Sequence, residues 1–134
     1  MNRYKLLFGL VVLLTACKSN QKESNAVADN TTTIQINERS YSFGKLKQSD
    51  STEHVFTIKN TGDIPLIIKS AKAACGCTVP KWSTEPVLPN KNAMIRVKFK
   101  PNPGFEGIIS KSVVIQANTD STFHVLYMKG EVVK

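Results

Sequence analysis

The sequence predicts an all-β domain, an immunoglobulin-like β-sandwich of about seven antiparallel strands. Two observations carry this prediction. Apolar and polar residues alternate with a period of two from residue 34 onwards, and clusters of Asn, Asp, Gly, Pro and Ser separate the alternating runs. Helical periodicity is weak throughout. The chain accordingly divides into a leader at residues 1–16, a tether at 17–33 and the sandwich domain at 34–134.

The leader has the features of a lipoprotein signal peptide. Basic side chains precede an apolar stretch at residues 6–14. As a helix this stretch reaches only about 14 Å, which is too short for a bilayer core of about 30 Å. The following residues, Leu14-Thr15-Ala16-Cys17, resemble the bacterial lipobox, in which cleavage precedes the cysteine and the thiol carries diacylglycerol. We therefore expect Cys17 to be lipidated; the alternative is an ordinary signal peptide followed by a chance cysteine.

Residues 17–33 are predicted to form the lipidated cysteine and a flexible linker. Their composition is polar, with Val27 as the only large aliphatic residue, so ordering them would bury little apolar surface. A coil of this length spans roughly 22 Å, which keeps the folded domain near a membrane. No acidic run follows Cys17 directly, which favours a position facing the periplasm, and we expect the outer membrane. The inner membrane and the cell surface are the alternatives.

Within the domain, the runs predicted as strands follow one another in regular order. They lie at residues 34–36, 41–43, 54–59, 66–68, 93–100, 108–117 and 123–133. The third run ends at the turn cluster Asn60-Thr61-Gly62-Asp63, and Pro65 opens the fourth. The single tryptophan, Trp82, is expected to pack over one end of the core.

The run at residues 93–100 is the clearest strand. Its apolar side chains point to one face and its basic side chains point to the other. The basic residues are Arg96, Lys98 and Lys100. They form a row with a spacing of about 6.6 Å. We expect this strand at the edge of a sheet, where such cations often block edge-to-edge aggregation. The alternative is that the row binds an anionic partner.

The chain is basic, with 18 Lys and Arg residues against 10 Asp and Glu residues and a formal net charge of +8. This balance suits anionic surfaces such as lipid headgroups, and it also fits a solvated, lysine-rich surface that keeps a secreted domain soluble. Nucleic acid is disfavoured as a partner because the predicted compartment lies outside the cytoplasm. No small-molecule substrate is identified.

Several motifs stand in a specific order along the domain. They are Phe43-Gly44, the run from His54 to Gly62, Pro65-Leu66-Ile67-Ile68, Cys75-Gly76-Cys77-Thr78, Pro80, Trp82, the run from Ile95 to Phe99, Gly107, Lys111-Ser112-Val113 and Gly130. Together they resemble the bacterial family built on the domain of unknown function 1573. Members of that family are often predicted lipoproteins and are similar to the immunoglobulin-like domains of hydin and major sperm protein.

The resemblance covers about residues 36–132, and it implies a fold but no established reaction. One departure is that Leu88-Pro89-Asn90 stands where the family usually has Pro-Gly. Asparagine also tolerates a left-handed backbone conformation, so we expect the turn to be kept.

Cys75 and Cys77 are the strongest candidates for a chemical role. If Cys17 is acylated, they are an even pair in an oxidising compartment, which favours a disulfide. In an extended strand their Cα atoms would lie about 6.6 Å apart, at the upper limit for a disulfide, and Gly76 lets the backbone shorten that distance. So small a ring contributes only about 1.6 kcal/mol of loop-closure entropy. A thiol-redox role and copper binding are therefore kept as alternatives.

No metal site, cofactor or catalytic residue is predicted. A structural zinc site generally needs four ligands, and the only histidines, His54 and His124, both fit strand patterns without a metal. Met94 and Met128 are soft ligands, but nothing in the sequence brings them to the thiols. No phosphate-binding glycine loop, HExxH or GxSxG motif occurs.

The sequence thus predicts a non-enzymatic protein. We expect an envelope lipoprotein, anchored to a membrane by its lipid, whose immunoglobulin-like domain binds or scaffolds an envelope protein partner. The alternative function is a thiol-redox or copper-handling protein that uses Cys75 and Cys77.

Overall fold

The computed structural model describes residues 30–134, which form two packed four-stranded sheets. The strands are β1 (Ile34–Ile36), β2 (Ser40–Lys47), β3 (Thr52–Asn60), β4 (Ile68–Ala73), β5 (Thr78–Trp82), β6 (Asn92–Phe99), β7 (Gly107–Ala117) and β8 (Phe123–Val133). Sheet one has the order β1-β3-β6-β5, and sheet two has the order β2-β8-β7-β4. All neighbouring strands are antiparallel except β2 and β8, which are parallel. The predicted all-β sandwich is confirmed.

The predicted leader, Cys17 and the linker up to residue 29 lie outside the described residues. Across residues 30–134 there is no helix long and apolar enough to cross a membrane.

The core lies between the sheets because successive side chains of a strand point to opposite faces. In β6 every second residue is buried, and the residues between them are exposed. The largest fully buried side chains come from both sheets: Phe56, Ile58, Ile95, Val97 and Phe99 from sheet one, and Val113, Ile115, Leu126, Met128 and Val132 from sheet two. Trp82 packs against this core from β5 and donates a hydrogen bond from Nε1 to the carbonyl oxygen of Ile68 (3.3 Å). It therefore joins the two sheets where β5 and β4 meet.

Two elements differ from the prediction. The run at residues 66–68 is not a strand of its own: Leu66 forms an isolated bridge with Val87, and β4 begins only at Ile68. The amide nitrogen of Ile67 instead donates to the side chain of Asn118 (2.6 Å), which takes this segment out of the sheet ladder. Strand β5 was not predicted, because five residues that contain Pro80 and follow Cys-Gly-Cys have the composition of a turn.

The expected edge position of residues 93–100 is wrong. Strand β6 lies between β3 and β5, so the edges of sheet one are β1 and β5. Pro80 fits the β5 edge, because Lys100 donates to the carbonyl of Cys77 and bonding positions alternate along an antiparallel pair. The nitrogen of Pro80 therefore faces the free edge, where its missing N–H removes no ladder hydrogen bond. Aggregation at an edge no longer explains the cations of β6.

The loops collect at the two ends of the sandwich. We call one the amide end, with residues 60–67, 87–92 and 118–122, because side-chain amides of asparagine join its loops. We call the other the disulfide end, with residues 48–51, 74–77 and 100–106. The turn before β6 keeps the predicted left-handed conformation, with φ of 64° at Asn90.

Candidate functional site at the disulfide end

The structure joins Cys75 and Cys77 in a disulfide, with their Cα atoms 5.4 Å apart. That distance is shorter than the extended-strand value of about 6.6 Å because the chain turns at Gly76. The amide of Thr78 donates to the carbonyl of Cys75 (3.3 Å), and the amide of Lys100 donates to the carbonyl of Cys77 (3.0 Å). Cys77 is thus held by the sheet, whereas Cys75 belongs to the turn.

Thr78 places a hydroxyl beside the disulfide, at nearly equal distance from the two sulfur atoms. Its side chain is buried, with a relative exposure of 3%. Its Oγ1 lies 3.8 Å from Sγ of Cys75 and 3.9 Å from Sγ of Cys77. A hydroxyl can donate to a sulfur atom, and the donation is stronger when the sulfur is a charged thiolate. The residue directly after the Cys-Gly-Cys motif was not predicted to have a chemical role, although its position next to the pair was a signal for one.

A hollow of about 470 Å³ opens beside the disulfide. Its lining residues come from the disulfide turn, from β5 and β6 and from the loop after β6: Gly76, Cys77, Val79, Lys98, Lys100, Pro101, Asn102 and Pro103. Two of them are lysines and none is acidic. The hollow therefore combines one cysteine of the disulfide with a local positive charge.

The two lysines of the hollow belong to a larger basic surface on the outside of sheet one. We call it the cationic face and define it by five exposed residues: Lys59, Lys81, Arg96, Lys98 and Lys100. Glu53 is the acidic residue on the same side, and it accepts a hydrogen bond from Arg96 at 2.7 Å. Among residues 30–134, Lys98 and Lys100 take part in no ion pair. Their charge is therefore free to attract an anion.

An apolar hollow of about 440 Å³ continues the cationic face toward the amide end. Two of its residues are large apolar side chains that face solvent, Leu88 with 58% and Met94 with 64% relative exposure. Lys91 and the acidic Glu85 line the same hollow. This side of the domain thus offers cations next to exposed apolar surface, a combination that is common where a protein meets a partner.

The structure does not bring the histidines to the disulfide. The ring of His54 stacks on Tyr41 with a centroid distance of 3.8 Å, and its Nε2 lies 2.9 Å from a carboxylate oxygen of Glu38. His124 lies at the amide end, with its Nε2 2.8 Å from Oγ1 of Thr119. Burial and the nearby Arg39 lower the pKa of His124 below its ordinary value. Within the described part of the chain, no group of three or more His, Cys, Asp or Glu residues could hold a metal ion.

The structure does not place Met94 or Met128 where a metal bound by the two cysteines would need them. Met128 is fully buried in the core, and Met94 is exposed on the outside of β6, opposite Thr57. Within residues 30–134, Cys75 and Cys77 therefore have no set of soft partners around them, and the copper alternative gains no support.

Comparisons with known proteins agree with the sandwich fold. A family model described as "Protein of unknown function (DUF1573)" matches residues 34–132. No curated protein sequence matches the chain. The fold is similar to that of a protein of unknown function from Porphyromonas gingivalis W83, with a TM-score of 0.68 and 18% identity over 80% of this chain and 51% of that chain. This chain thus spans about half the length of the Porphyromonas protein.

Two animal domains have similar folds. The ASH/PapD-like domain 7 of human CEP192 gives a TM-score of 0.63 with 9% identity, over 78% of this chain and 88% of that chain. WR4, an MSP family member of Caenorhabditis elegans, gives 0.52 with 11% identity, over 76% of this chain and 99% of that chain. At these identities the likeness shows the immunoglobulin-like fold alone.

Proposed function

The chain belongs to the DUF1573 family, and we propose that it is a membrane-anchored lipoprotein of the cell envelope whose immunoglobulin-like domain is a non-catalytic binding or scaffolding module. The observation that carries the binding role is the cationic face with the apolar hollow beside it. The anchor is carried by the sequence Leu14-Thr15-Ala16-Cys17 directly after the apolar leader.

The anchor and the linker would set where the domain works. A diacylglycerol group has two acyl chains, and two chains hold a protein stably at a membrane where one chain gives only reversible binding. Thr32 is buried at the amide end, so the linker is at most residues 18–29. As a coil it would span roughly 19 Å and leave the domain free to turn its cationic face toward a neighbour. We place the protein at the outer membrane, facing the periplasm, with the inner membrane and the cell surface as alternatives.

The partner that fits the cationic face best is an envelope protein with an acidic surface. Complementary charge steers association and sets orientation, and exposed apolar side chains such as Met94 and Leu88 supply area that becomes buried on binding. The central position of β6 supports this role, because cations there have no free strand edge to protect.

The anchor is tested by metabolic labelling with a palmitate analogue. We expect the full chain to incorporate the label and the Cys17→Ala variant to lose it. Label that survives the Cys17→Ala substitution would rule out this anchor.

The binding face is tested by removing its positive charges, with a matched control variant. The test variant replaces Arg96, Lys98 and Lys100 with glutamine, and the control variant makes the same replacement at three exposed lysines of sheet two. Those lysines are Lys69, Lys72 and Lys129. Both variants lose the same charge, so crosslinking in intact cells should show the principal protein partner lost from the test variant alone. Equal partner recovery from both variants would exclude the cationic face as the binding surface.

A further inference from the structure

We propose that the Cys75–Cys77 disulfide is a thiol-exchange site for a small anionic thiol, a low-molecular-weight thiol that carries carboxylates. This inference goes beyond the binding role above and does not depend on the lipid anchor. It rests on the hollow beside the disulfide, which places Cys77 next to Lys98 and Lys100.

The two lysines of the hollow favour a thiol that carries negative charge. Lys98 projects from β6 opposite Val79 of β5, and Lys100 follows on the same face. Together with Pro101, Asn102 and Pro103 they form a wall without a carboxylate. A carboxylate of the incoming thiol would lie against the lysines while its sulfur reaches Cys77. The same two charges would repel a cationic thiol.

The exchange proceeds in two balanced steps. The ligand thiolate attacks Sγ of Cys77, a ligand–Cys77 disulfide forms, and the Cys75–Cys77 bond breaks with its electron pair on Sγ of Cys75. The Cys75 thiolate then takes a proton from water. A second ligand thiolate attacks the ligand sulfur and releases Cys77 as a thiolate, which is protonated in turn. Two ligand thiols are thereby oxidised to one ligand disulfide, and the protein disulfide is reduced to two thiols.

Thr78 can stabilise the leaving thiolate at Cys75. Its buried hydroxyl lies 3.8 Å from Sγ of Cys75, where it can donate to the thiolate as negative charge develops there. The hydroxyl is almost equally close to Sγ of Cys77, at 3.9 Å, so the choice of leaving group comes from the hollow and not from Thr78. Cys77 is the cysteine of the pair that lines the hollow, so a thiol that enters the hollow meets Cys77 and leaves Cys75 as the departing group. Thr78 is a positioning residue, because it acts on the leaving sulfur and does not bind the ligand.

The fold can tolerate this exchange. The ring closed by the disulfide contains one residue between the cysteines, so its reduction releases little chain entropy. The backbone of the turn keeps its other bonds, from Thr78 to Cys75 and from Lys100 to Cys77. The disulfide can therefore open and close in the folded protein.

The test uses the full mature chain with Cys17→Ala, which removes the third thiol. Glutathione is the anionic probe, 2-mercaptoethanol the neutral probe and cysteamine the cationic probe. Exchange is stopped with acid, and intact mass after alkylation gives the rate for each probe per unit of thiolate. We expect glutathione to react about tenfold faster than cysteamine, within the range that electrostatic steering gives. Peptide mapping should find the glutathione adduct on Cys77.

Matched variants connect the preference to the hollow. We expect Lys98→Gln/Lys100→Gln to bring the rate ratio of glutathione to cysteamine close to unity. Lys69→Gln/Lys72→Gln removes the same charge from sheet two and should leave the ratio unchanged. A Thr78→Val variant should slow all three probes by a similar factor. A disulfide that no probe reduces in the folded protein, equal rates for all probes, or a ratio that falls equally in both lysine variants would overturn the proposal.

Discussion

The amide end and the disulfide end close the same sandwich by different means. At the amide end, buried polar side chains join the loops through hydrogen bonds. Each buried side-chain nitrogen or oxygen atom there has a hydrogen-bond partner. At the disulfide end, a covalent bond links two partly exposed residues that are two positions apart in the sequence. The comparison leads us to expect that the more conspicuous motif, the disulfide, contributes less to stability than the buried amide. We therefore expect hydrogen bonds between distant loops to hold the fold, and the disulfide to be free for the exchange proposed above.

Asn60 shows how the amide end works. It is fully buried, with 0% relative exposure. Its Nδ2 donates to the carbonyls of Ile64 (2.8 Å) and Val87 (2.9 Å). Its Oδ1 accepts from Oγ1 of Thr32 (2.8 Å) and from the amide of Gly62 (3.2 Å). One side chain therefore joins the segment before β1, the β3–β4 turn and the loop before β6, and it uses its full bonding capacity.

The largest effect should follow from removing this amide. Asn60→Ala leaves several buried donors and acceptors without a partner, and we expect a loss of about 3–5 kcal/mol in the free energy of unfolding. Urea denaturation of the mature chain measures it. Asn37→Ala, at an exposed residue that accepts one hydrogen bond from Gln35, is the control and should change stability by less than about 0.5 kcal/mol. Similar values for the two variants would refute this account of the amide end.

The next effect compares one glycine from each end. A Cβ at Gly62 would overlap Oγ1 of Thr32 and lie 2.8 Å from the backbone nitrogen of Thr33, whereas a Cβ at Gly76 would meet nothing within 4 Å. We expect Gly62→Ala to cost about 2–3 kcal/mol, because backbone must shift, and Gly76→Ala to stay within about 0.5 kcal/mol. Thermal unfolding of both variants gives the contrast. A larger loss of stability for Gly76→Ala than for Gly62→Ala would contradict this prediction.

Removal of the disulfide should be milder than either amide-end substitution. The small ring limits the loss for Cys75→Ser/Cys77→Ser to about 1.6 kcal/mol. Urea denaturation of this variant beside the oxidised wild type measures the difference. A loss as large as that of Asn60→Ala would mean that the disulfide holds the sandwich together.

The smallest effect concerns the pH dependence of stability. The pKa of His124 is lowered from 6.5, first by burial and then by Arg39, so the folded state favours the neutral ring. Below pH 6.5 the unfolded chain binds more protons than the folded chain. The contribution of His124 is therefore complete above that pH and is lost as the pH falls through the lowered pKa. The urea midpoint should therefore fall as the pH is lowered from 7.5 to 5. It is measured at steps of about half a pH unit.

Arg39→Gln gives the matched variant for this prediction. It removes one cause of the lowered pKa, so it should make the decline of the midpoint between pH 7.5 and 5 shallower. His124→Gln should remove the share of the decline that His124 contributes. A decline that is identical in all three proteins would assign the pH dependence to other groups.

Much of the fold was predictable because it depends on local periodicity. Alternation at residues 93–100 gave the buried and the basic faces of β6 correctly, and Asn90 has the expected positive φ. Periodicity identifies the face of a residue but not the neighbour of a strand, so the central position of β6 was missed. Strand β5 was missed because Pro80 weakens a strand pattern and only the finished sheet shows that its nitrogen faces a free edge.

The candidate site was predictable only in part. The spacing of Cys75 and Cys77 pointed to their chemistry, and their joining in a disulfide needs only the local turn at Gly76. The hollow depends on a loop about 25 residues further along, whose approach to Cys77 follows from the pairing of β5 with β6. No local pattern encodes such a contact.

Amide hydrogen exchange of the oxidised and the reduced full mature chain tests most directly whether the fold is held at the amide end and the disulfide is free to react. The amides of Asn60, Thr32 and Ile67 are bonded at the amide end, and we expect their protection to be the same in both states. Faster exchange on reduction should be confined to Thr78 and Lys100. Their hydrogen bonds to the carbonyls of the two cysteines remain formed, but they open more often once the turn has lost its covalent link. Loss of protection at the amide end on reduction would contradict the account.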